Sequence, residues 1–544
     1  MTSTARSNQP PPFEGRNLFD IDPALRAVVD EGAPWAASEL RQWGDWLGSE
    51  ETYALADAAN RNPPQLRTHD RTGERIDDVS FHPAWHELMR RAMAAGEHCT
   101  PWRAPRADAQ LARAAMYYLH AQVENGTQCP LTMTYASVPV LTRHAASSHG
   151  ALDVWLARIM SDVYDPRRLV VAEKRSALIG MGMTERQGGS DVRANVTRAV
   201  PDGDGTWRIT GHKWFFSAPQ CDAHLVLAQT HAGLGCFLMP RMQPDGCRNT
   251  IRVDRLKDKV GNRSNASAEV QFDDAFAWAI GPADRGIATI LEMVQYTRLD
   301  CVIGSAGLMR GASSWALHHA RHRTTFGRRL VDHPLMANVL ADVALECQAA
   351  MLLAMLLARA SERDADVALK AVARILTPAA KFWVCKRAMA VTSEAMEALG
   401  GNGYIEETPL ARFYREAPVN SIWEGSGNIV CLDVARAMRR EPEAVDALVA
   451  YLGAAAGSDR RYDAELDRLT GTLGGDVDNP GDARHLAQAI AVVVSAAELI
   501  KHAPAPVADA FCASRLGDQR YAGAAFGVLP ASCDTQGILA RAMT

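Results

Sequence analysis

The 544-residue chain has 11 cysteines, an odd number scattered singly, and no C-x-x-C pair among them. That spacing suits reduced thiols in a cytosol better than a disulfide framework, and no metal site is expected. Long apolar runs are also missing. The longest, AAMLLAMLLA at 349–358 and AIAVVVSAA at 489–497, are too short to span a bilayer and read as buried helix segments. The N-terminus, MTSTARSNQPPPFEGRN, is polar and proline-rich and lacks the apolar core of a signal peptide. These features predict a soluble cytoplasmic protein without a membrane partner. A formal net charge of −5 offers no overall attraction to nucleic acid or anionic lipid. The chain shows neither an internal repeat nor a long low-complexity tract.

Apolar residues make up 47% of the chain and charged residues 22%, which is ordinary globular usage. The length exceeds one compact core, so three or four structural units are expected. The hydrophobic period changes along the chain. From about 22 to 165 it is helical, as in VSFHPAWHELMRRAMAAG and LARAAMYYLHAQVE. Between about 180 and 280, short alternating runs such as TWRITGHKWFF and HLVLAQT, separated by PDGDG and PDG turns, predict an antiparallel β unit. Helical patterning returns from about 284, and the last hundred residues are helical with a Gly- and Asp-rich break at 471–482. The expected division is a helical domain 1–179, a β domain 180–283, a helical bundle 284–440 and an extra helical domain 441–544. The fold class is therefore α+β.

Five segments carry residues suited to chemistry. In GMTERQGGSDVRA (182–194), Thr184 offers a hydroxyl to a polar ring edge, while Gly188, Gly189, Ser190 and Asp191 suit close backbone approach or phosphate. A plain tight turn explains them equally. In GHKWFFS (211–217), Phe215 and Ser217 share a strand face and could meet a planar ring, or simply pack a barrel. RTTFG (323–327) ends a helix, with Arg323 and Thr325 suited to phosphate, Phe326 at the exit and Gly327 as the residue after the helix. Helix-end cations complementing the dipole are the alternative. Gly400, Gly401 and Gly403 could cradle an anion or merely stop a helix. In NSIWEGSGN (420–428), Glu424 lies just before a helix that starts near Asn428, with Ser426 or Asn428 as N-cap. By itself Glu424 reads as a carboxylate complementing the helix dipole.

Taken together, the order and surroundings of these segments resemble the acyl-CoA dehydrogenases. GMTERQGGSDVRA is similar to that family's first signature and Glu397–Glu416 to its second. R-x-T-F-G and W-E-G-S-G-N fall where the family has a neighbour-subunit FAD contact and its catalytic glutamate. The resemblance covers about residues 80–440. The C-terminal hundred residues, FHPAWHELM, LKDKVGNRSNAS and YREAPVNSIWEGSGNIVCLDV are similar to a bacterial branch associated with DNA alkylation response and isovaleryl-CoA oxidation.

The resemblance implies the family's fold: a helical N-terminal domain, a middle antiparallel β-barrel and a helical bundle, here with an extra helical domain. It implies FAD as cofactor and an acyl-CoA, such as isovaleryl-CoA, as substrate. Glu424 would be the base, with Arg298 orienting it or binding an anion. The backbone of Met181, Gly182, Met183 and Thr184 would line the flavin edge, and Thr184 and Ser217 would hydrogen-bond the ring. Phe215 would lie against that ring with Phe216 beside it, and Ser190 would sit near the pyrophosphate. Arg323, Thr325 and Phe326 would reach the FAD of a neighbouring subunit, which implies a homotetramer. Gly400 and Gly401 would contact the cofactor, as would Ile422, Trp423, Gly425, Ser426, Gly427 and Asn428. Three positions depart from the family: Met181 replaces a common tyrosine, and Glu397 and Pro334 replace glutamines.

Two functions follow. One is α,β-dehydrogenation of a short or branched acyl-CoA with a role in DNA alkylation response. The other is a double-stranded-DNA-binding response protein whose flavin is structural or acts on alkylated bases. Residues 441–544 hold eight Lys/Arg against fourteen Asp/Glu, which disfavours phosphate binding by that segment. Arg436, Arg439 and Arg440, with Arg460 and Arg461, could build a local basic patch, with a solvated helix face as the alternative.

Overall fold

The computed structural model describes residues 8–148, 150–203, 205–474, 479–516 and 525–543. Asp204 of the PDGDG turn and residues 475–478 of the Gly- and Asp-rich break lie outside them. The chain forms two compact units. One contains residues up to Tyr53, Ala107–Val123 and everything from Arg298 on, and the other contains Ala54–Arg106 and Glu124–Thr297.

The second unit holds the sheet. A hairpin of β1 (Gln65–His69) and β2 (Arg75–Ser80) precedes it, inside a stretch whose period reads as helical. The turn between these strands contains Gly73 at φ +90°, a conformation that favours glycine. The main sheet comprises β3 (Ile179–Gly182), β4 (Arg198–Pro201), β5 (Thr206–Ser217), β6 (Ala223–Gln229), β7 (Leu234–Pro240), β8 (Ile251–Leu256) and β9 (Ser267–Ala279). Its order is β3-β6-β4-β5-β9-β7, and a further β6–β7 pairing closes it into a barrel. The pairing is mostly antiparallel, as expected, but β3 runs parallel to β6. The barrel core is aliphatic and aromatic, with Ile209, Phe216, Val226, Phe237, Val270 and Phe272 all buried.

The first unit is helical. The helices Pro334–Ala360, Val367–Ala398, Gly427–Arg440 and Ala483–His502 pack on one another. Two helical stretches, Pro334–Ala360 and Pro480–His502, are long and apolar enough to cross a bilayer, which the short apolar runs alone do not suggest. Their most apolar windows are 83% and 72% buried inside the protein, because each run packs on neighbouring helices. The C-terminal helices are fixed to the bundle by buried ion pairs. Arg515 reaches both Asp342 (2.5 Å) and Glu346 (3.0 Å). No cysteine forms a disulfide.

Candidate active site

In the second unit, the first signature and β5 are fastened together by a buried charge pair. Lys213 Nζ lies 2.8 Å from Glu185 Oε1, and both side chains are fully buried. Lys213 also donates to the Leu227 carbonyl, and Glu185 accepts from the backbone N–H of Val196. Burial pushes the Glu185 carboxyl up, but the Lys213 ammonium and the hydrogen bonds outweigh that and hold it down at about 2. Two backbone-directed bonds complete the fastening. The Trp214 N–H donates to the Thr184 carbonyl at 2.8 Å, and the Asn195 amide donates to the Met183 carbonyl at 3.0 Å.

The strand itself is not regular. Lys213 pairs with Val270 and Phe216 with Ala268, so β5 carries one extra residue there. Such a bulge re-aims the side chains around it. Lys213 and Phe216 both point inward, and Phe215 is left 51% exposed between Trp214 and the half-buried Ser217. Phe216 is therefore corrected as a ring contact. Its side chain stacks on His224 in the barrel core, centroids 3.8 Å apart, so only its backbone can face a ligand. That stack explains the glycines of β3. A Cβ on Gly180 would lie 2.2 Å from His224 Cδ2, and one on Gly182 would lie 2.7 Å from Phe216 Cδ2. Met181, between them, is buried. Gly188, at φ +147°, has open space where a Cβ would sit, and Ser190 is exposed on the same loop.

In the first unit, the loop carrying Glu424 is strained and tied down. Glu424 has φ +58° and Gly425 φ +103°. For a residue with a Cβ, the left-handed region costs about 1–2 kcal/mol, so the surroundings must hold it there. Arg298 Nε donates to the Glu424 carbonyl at 2.9 Å, and its Nη1 pairs with Asp433 at 2.7 Å. Lys381 Nζ, almost fully buried, donates to the Gly425 carbonyl at 2.8 Å. Ahead of Glu424, the Trp423 indole donates to Asn420, whose amide donates to Ser305. The following helix begins at Gly427, next to Asn428 as expected, and Ser426 occupies the cap position without a side-chain bond. Ile422, Ser426 and Asn428 are exposed, while Trp423, Glu424, Gly425 and Gly427 are half-buried.

The remaining segments of this unit differ from a helix end. The helix stops at His322, and a two-strand hairpin follows, β10 (Thr324–Thr325) and β11 (Arg328–Arg329). Gly327 is not the residue after the helix. It is the second residue of the hairpin turn, where Phe326 and Gly327 have φ +50° and +76°, as two-residue turns of this kind require. Phe326 is 96% exposed. Arg323 donates to the Asn8 carbonyl, and the Thr325 carbonyl accepts from His333 Nε2 at 2.9 Å. Gly400, at φ +59°, and Gly401 are exposed with open space around them, whereas Gly403 is packed against the Met396 carbonyl. Among the described residues, no group of three or more His, Cys, Asp or Glu side chains is arranged to hold a metal.

Sequence reasoning missed Glu185, Lys213, Lys381 and Asp433 as supports. The first two sit inside the motifs as opposite charges at inward positions, a signal that was present. Lys381 and Asp433 lie far from Glu424 or on a helix face with nothing local to mark them.

The second unit presents an exposed Phe215, the Ser217 hydroxyl and an open glycine loop, groups that suit a flat, polar-edged ring, and the first unit presents an exposed Ile422 near the Glu424 carboxylate. Comparison with known proteins agrees. Residues 8–166 match the adaptive response protein AidB N-terminal domain, 180–275 the acyl-CoA dehydrogenase middle domain and 284–439 the acyl-CoA dehydrogenase C-terminal domain. Escherichia coli (strain K12) AidB is 48% identical over 93% of each chain. The chain belongs to the acyl-CoA dehydrogenase family. Caenorhabditis elegans ACDH-11, solved in complex with C11-CoA, superposes with a TM-score of 0.85 at 27% identity, covering 94% of this chain and 93% of that one. The apo-form of Bd2924 superposes with a TM-score of 0.81 at 28% identity, over 91% and 99% of the two chains. This acyl-CoA dehydrogenase is accordingly an FAD-using oxidoreductase acting on the CH–CH group of an acyl-CoA.

Proposed function

We propose that this chain dehydrogenates an acyl-CoA between its α and β carbons, with Glu424 as the base that removes the α proton. The observation that carries this reading is the backbone of Glu424, held in a strained left-handed conformation with its carbonyl on Arg298. Strain of that kind persists where a side chain must be aimed. A carboxylate positioned at the carbon beside a thioester supplies general-base catalysis, and backbone N–H groups of the same loop can stabilise the enolate-like oxygen. Bound FAD would supply the hydride acceptor for the β carbon. Met181–Thr184, Ser190, Phe215 and Ser217 would contact it, as would Ile422, Trp423 and Gly425–Asn428.

We further read Arg323, Thr325 and Phe326 as contacts to the FAD of another copy in a homotetramer, and Gly400 and Gly401 as contacts to the cofactor. The exposure of Phe326 (96%), Leu335 (82%) and Tyr404 (80%) supports burial by a second chain. In this reading residues 284–440 are the catalytic bundle, 441–544 an appendage, and the protein works in the cytoplasm. The acyl group ranges from short and branched, as in isovaleryl-CoA, to the eleven-carbon chain bound by ACDH-11. The test is anaerobic addition of acyl-CoAs across that range to the FAD-loaded protein. Bleaching of the flavin band by at least one of them is expected, and a flavin untouched by all of them contradicts the reading.

The DNA-alkylation role rests on the similarity to AidB and on three exposed arginines, Arg436, Arg439 and Arg440, near the end of the helix Gly427–Arg440. Arg461 adds little to such a patch, because Asp459 and Asp509 neutralise it. Gel-shift titration with duplex DNA at two salt concentrations tests it. The absence of a salt-sensitive shift at micromolar protein overturns it.

A further inference from the structure

We propose that Lys381 is a positioning residue for the base. It holds the Glu424 loop in its left-handed form from beneath, as a partner to Arg298, and this rests on the reading of Glu424 as the base. Lys381 is 1% exposed, and its Nζ meets the Gly425 carbonyl at 2.8 Å. Burying an ammonium is costly unless a strong acceptor meets it, and a cation donating to a carbonyl makes a charge-assisted bond. Arg298 does the same one residue earlier, on the Glu424 carbonyl at 2.9 Å. Two successive carbonyls are therefore each pinned by a buried cation, and each cation comes from a different long helix, Gly286–His322 or Val367–Ala398.

Those helices touch at this level. Ser305 lies on the first and Cys385 on the second, one turn beyond Lys381, and their side chains meet at 3.3 Å. Asn420 binds the same Ser305 hydroxyl and in turn holds Trp423. Residues before Glu424 are thus anchored by neutral hydrogen bonds, and Glu424 and Gly425 by cations. Gly425 itself is hemmed in, with Arg298 Nη2 3.4 Å and Val430 Cγ1 3.3 Å from where a Cβ would be. Without Lys381, the peptide after Glu424 loses a charge-assisted hydrogen-bond hold on the helix Val367–Ala398, and the left-handed conformation is free to relax. An ångström of misplacement at a reacting group costs a factor of order a hundred in rate, while substrate binding elsewhere on the surface is unaffected.

The test compares wild type with Lys381→Met, both FAD-loaded, with activity counted per bound flavin. Turnover is expected to fall about 30-fold with KM within about threefold. In the same protein, with no acyl-CoA present, amide hydrogen exchange over residues 420–428 is expected to quicken while the β barrel stays protected. Turnover per flavin within twofold of wild type overturns the proposal, and so does a loss of turnover with 420–428 as protected as before. A wild-type flavin that no acyl-CoA reduces removes Glu424 as the base, yet the exchange measurement still decides whether Lys381 holds the loop. If Lys381→Met does not fold, Lys381→Gln carries the same two readings.

Discussion

Arg298 and Glu424 meet through the backbone, the guanidinium Nε donating to the Glu424 carbonyl at 2.9 Å. Arg298 is held in turn by Asp433 at 2.7 Å, and Asp433 also faces Arg374, which pairs with Glu441 at the start of the C-terminal helices. Asp433→Asn removes the charge that aims Arg298 and should lower turnover about tenfold, a loss of roughly 1.4 kcal/mol of transition-state stabilisation. FAD content should not change. Steady-state kinetics normalised to flavin absorbance checks both.

The bulge in β5 separates two adjacent phenylalanines in function. Phe216→Ala empties a buried aromatic site against His224 and should cost about 3–5 kcal/mol of stability. Phe215→Ala alters a half-exposed ring and should leave the melting temperature within a few degrees while weakening FAD retention. Thermal melts of the apo-protein, paired with flavin release on dilution, separate the two effects.

This pair marks how far sequence reading reaches. Strict period-two alternation places Phe215 and Ser217 on one face, but one inserted residue turns Trp214 and Phe215 outward together, and nothing local announces it. The helical, β, helical order was legible because hydrophobic period changes are strong signals. The hairpin Gln65–Ser80 was not, since its short strands are polar and sit among long helices. Nor was the parallel β3–β6 pair, because pairing direction depends on how the chain enters the sheet. The Phe326-Gly327 turn was mistaken for a helix end because glycine serves both. Glu424 was legible as a candidate only beside the other motifs. The cations that hold its loop come from far away in sequence, Arg298 126 positions before Glu424 and Lys381 44 positions before Gly425, which no periodicity links.

The Glu185–Lys213 pair predicts an asymmetry. Lys213→Met leaves a buried carboxylate without its cation and should destabilise the protein by about 3–5 kcal/mol. The double substitution Glu185→Leu with Lys213→Met should recover part of that loss, because no uncompensated charge remains. Urea melts of wild type, Lys213→Met, Glu185→Leu and the double variant give the coupling.

Acid should weaken the β unit in two stages. Burial holds the His224 imidazole down at about 3, so its stabilising contribution is complete above the ordinary value of 6.5 and is lost as pH falls from there toward 3. The slope is about 1.4 kcal/mol per pH unit within that window. Glu185, held at about 2, contributes fully above its ordinary 4.5 and loses that contribution as pH falls below it. Melting temperatures measured between pH 7.5 and 4.5 should fall, and His224→Phe should flatten the upper part of that fall.

Proton removal by Glu424 is tested most directly without relying on flavin colour. The FAD-loaded protein is incubated in deuterium oxide with an acyl-CoA that binds but cannot be dehydrogenated, and deuterium at the α carbon is read by mass spectrometry. Wild type should exchange the α hydrogen, and Glu424→Gln, with equal flavin content, should reduce that exchange by at least a hundredfold. Equal exchange by the two proteins would contradict the account.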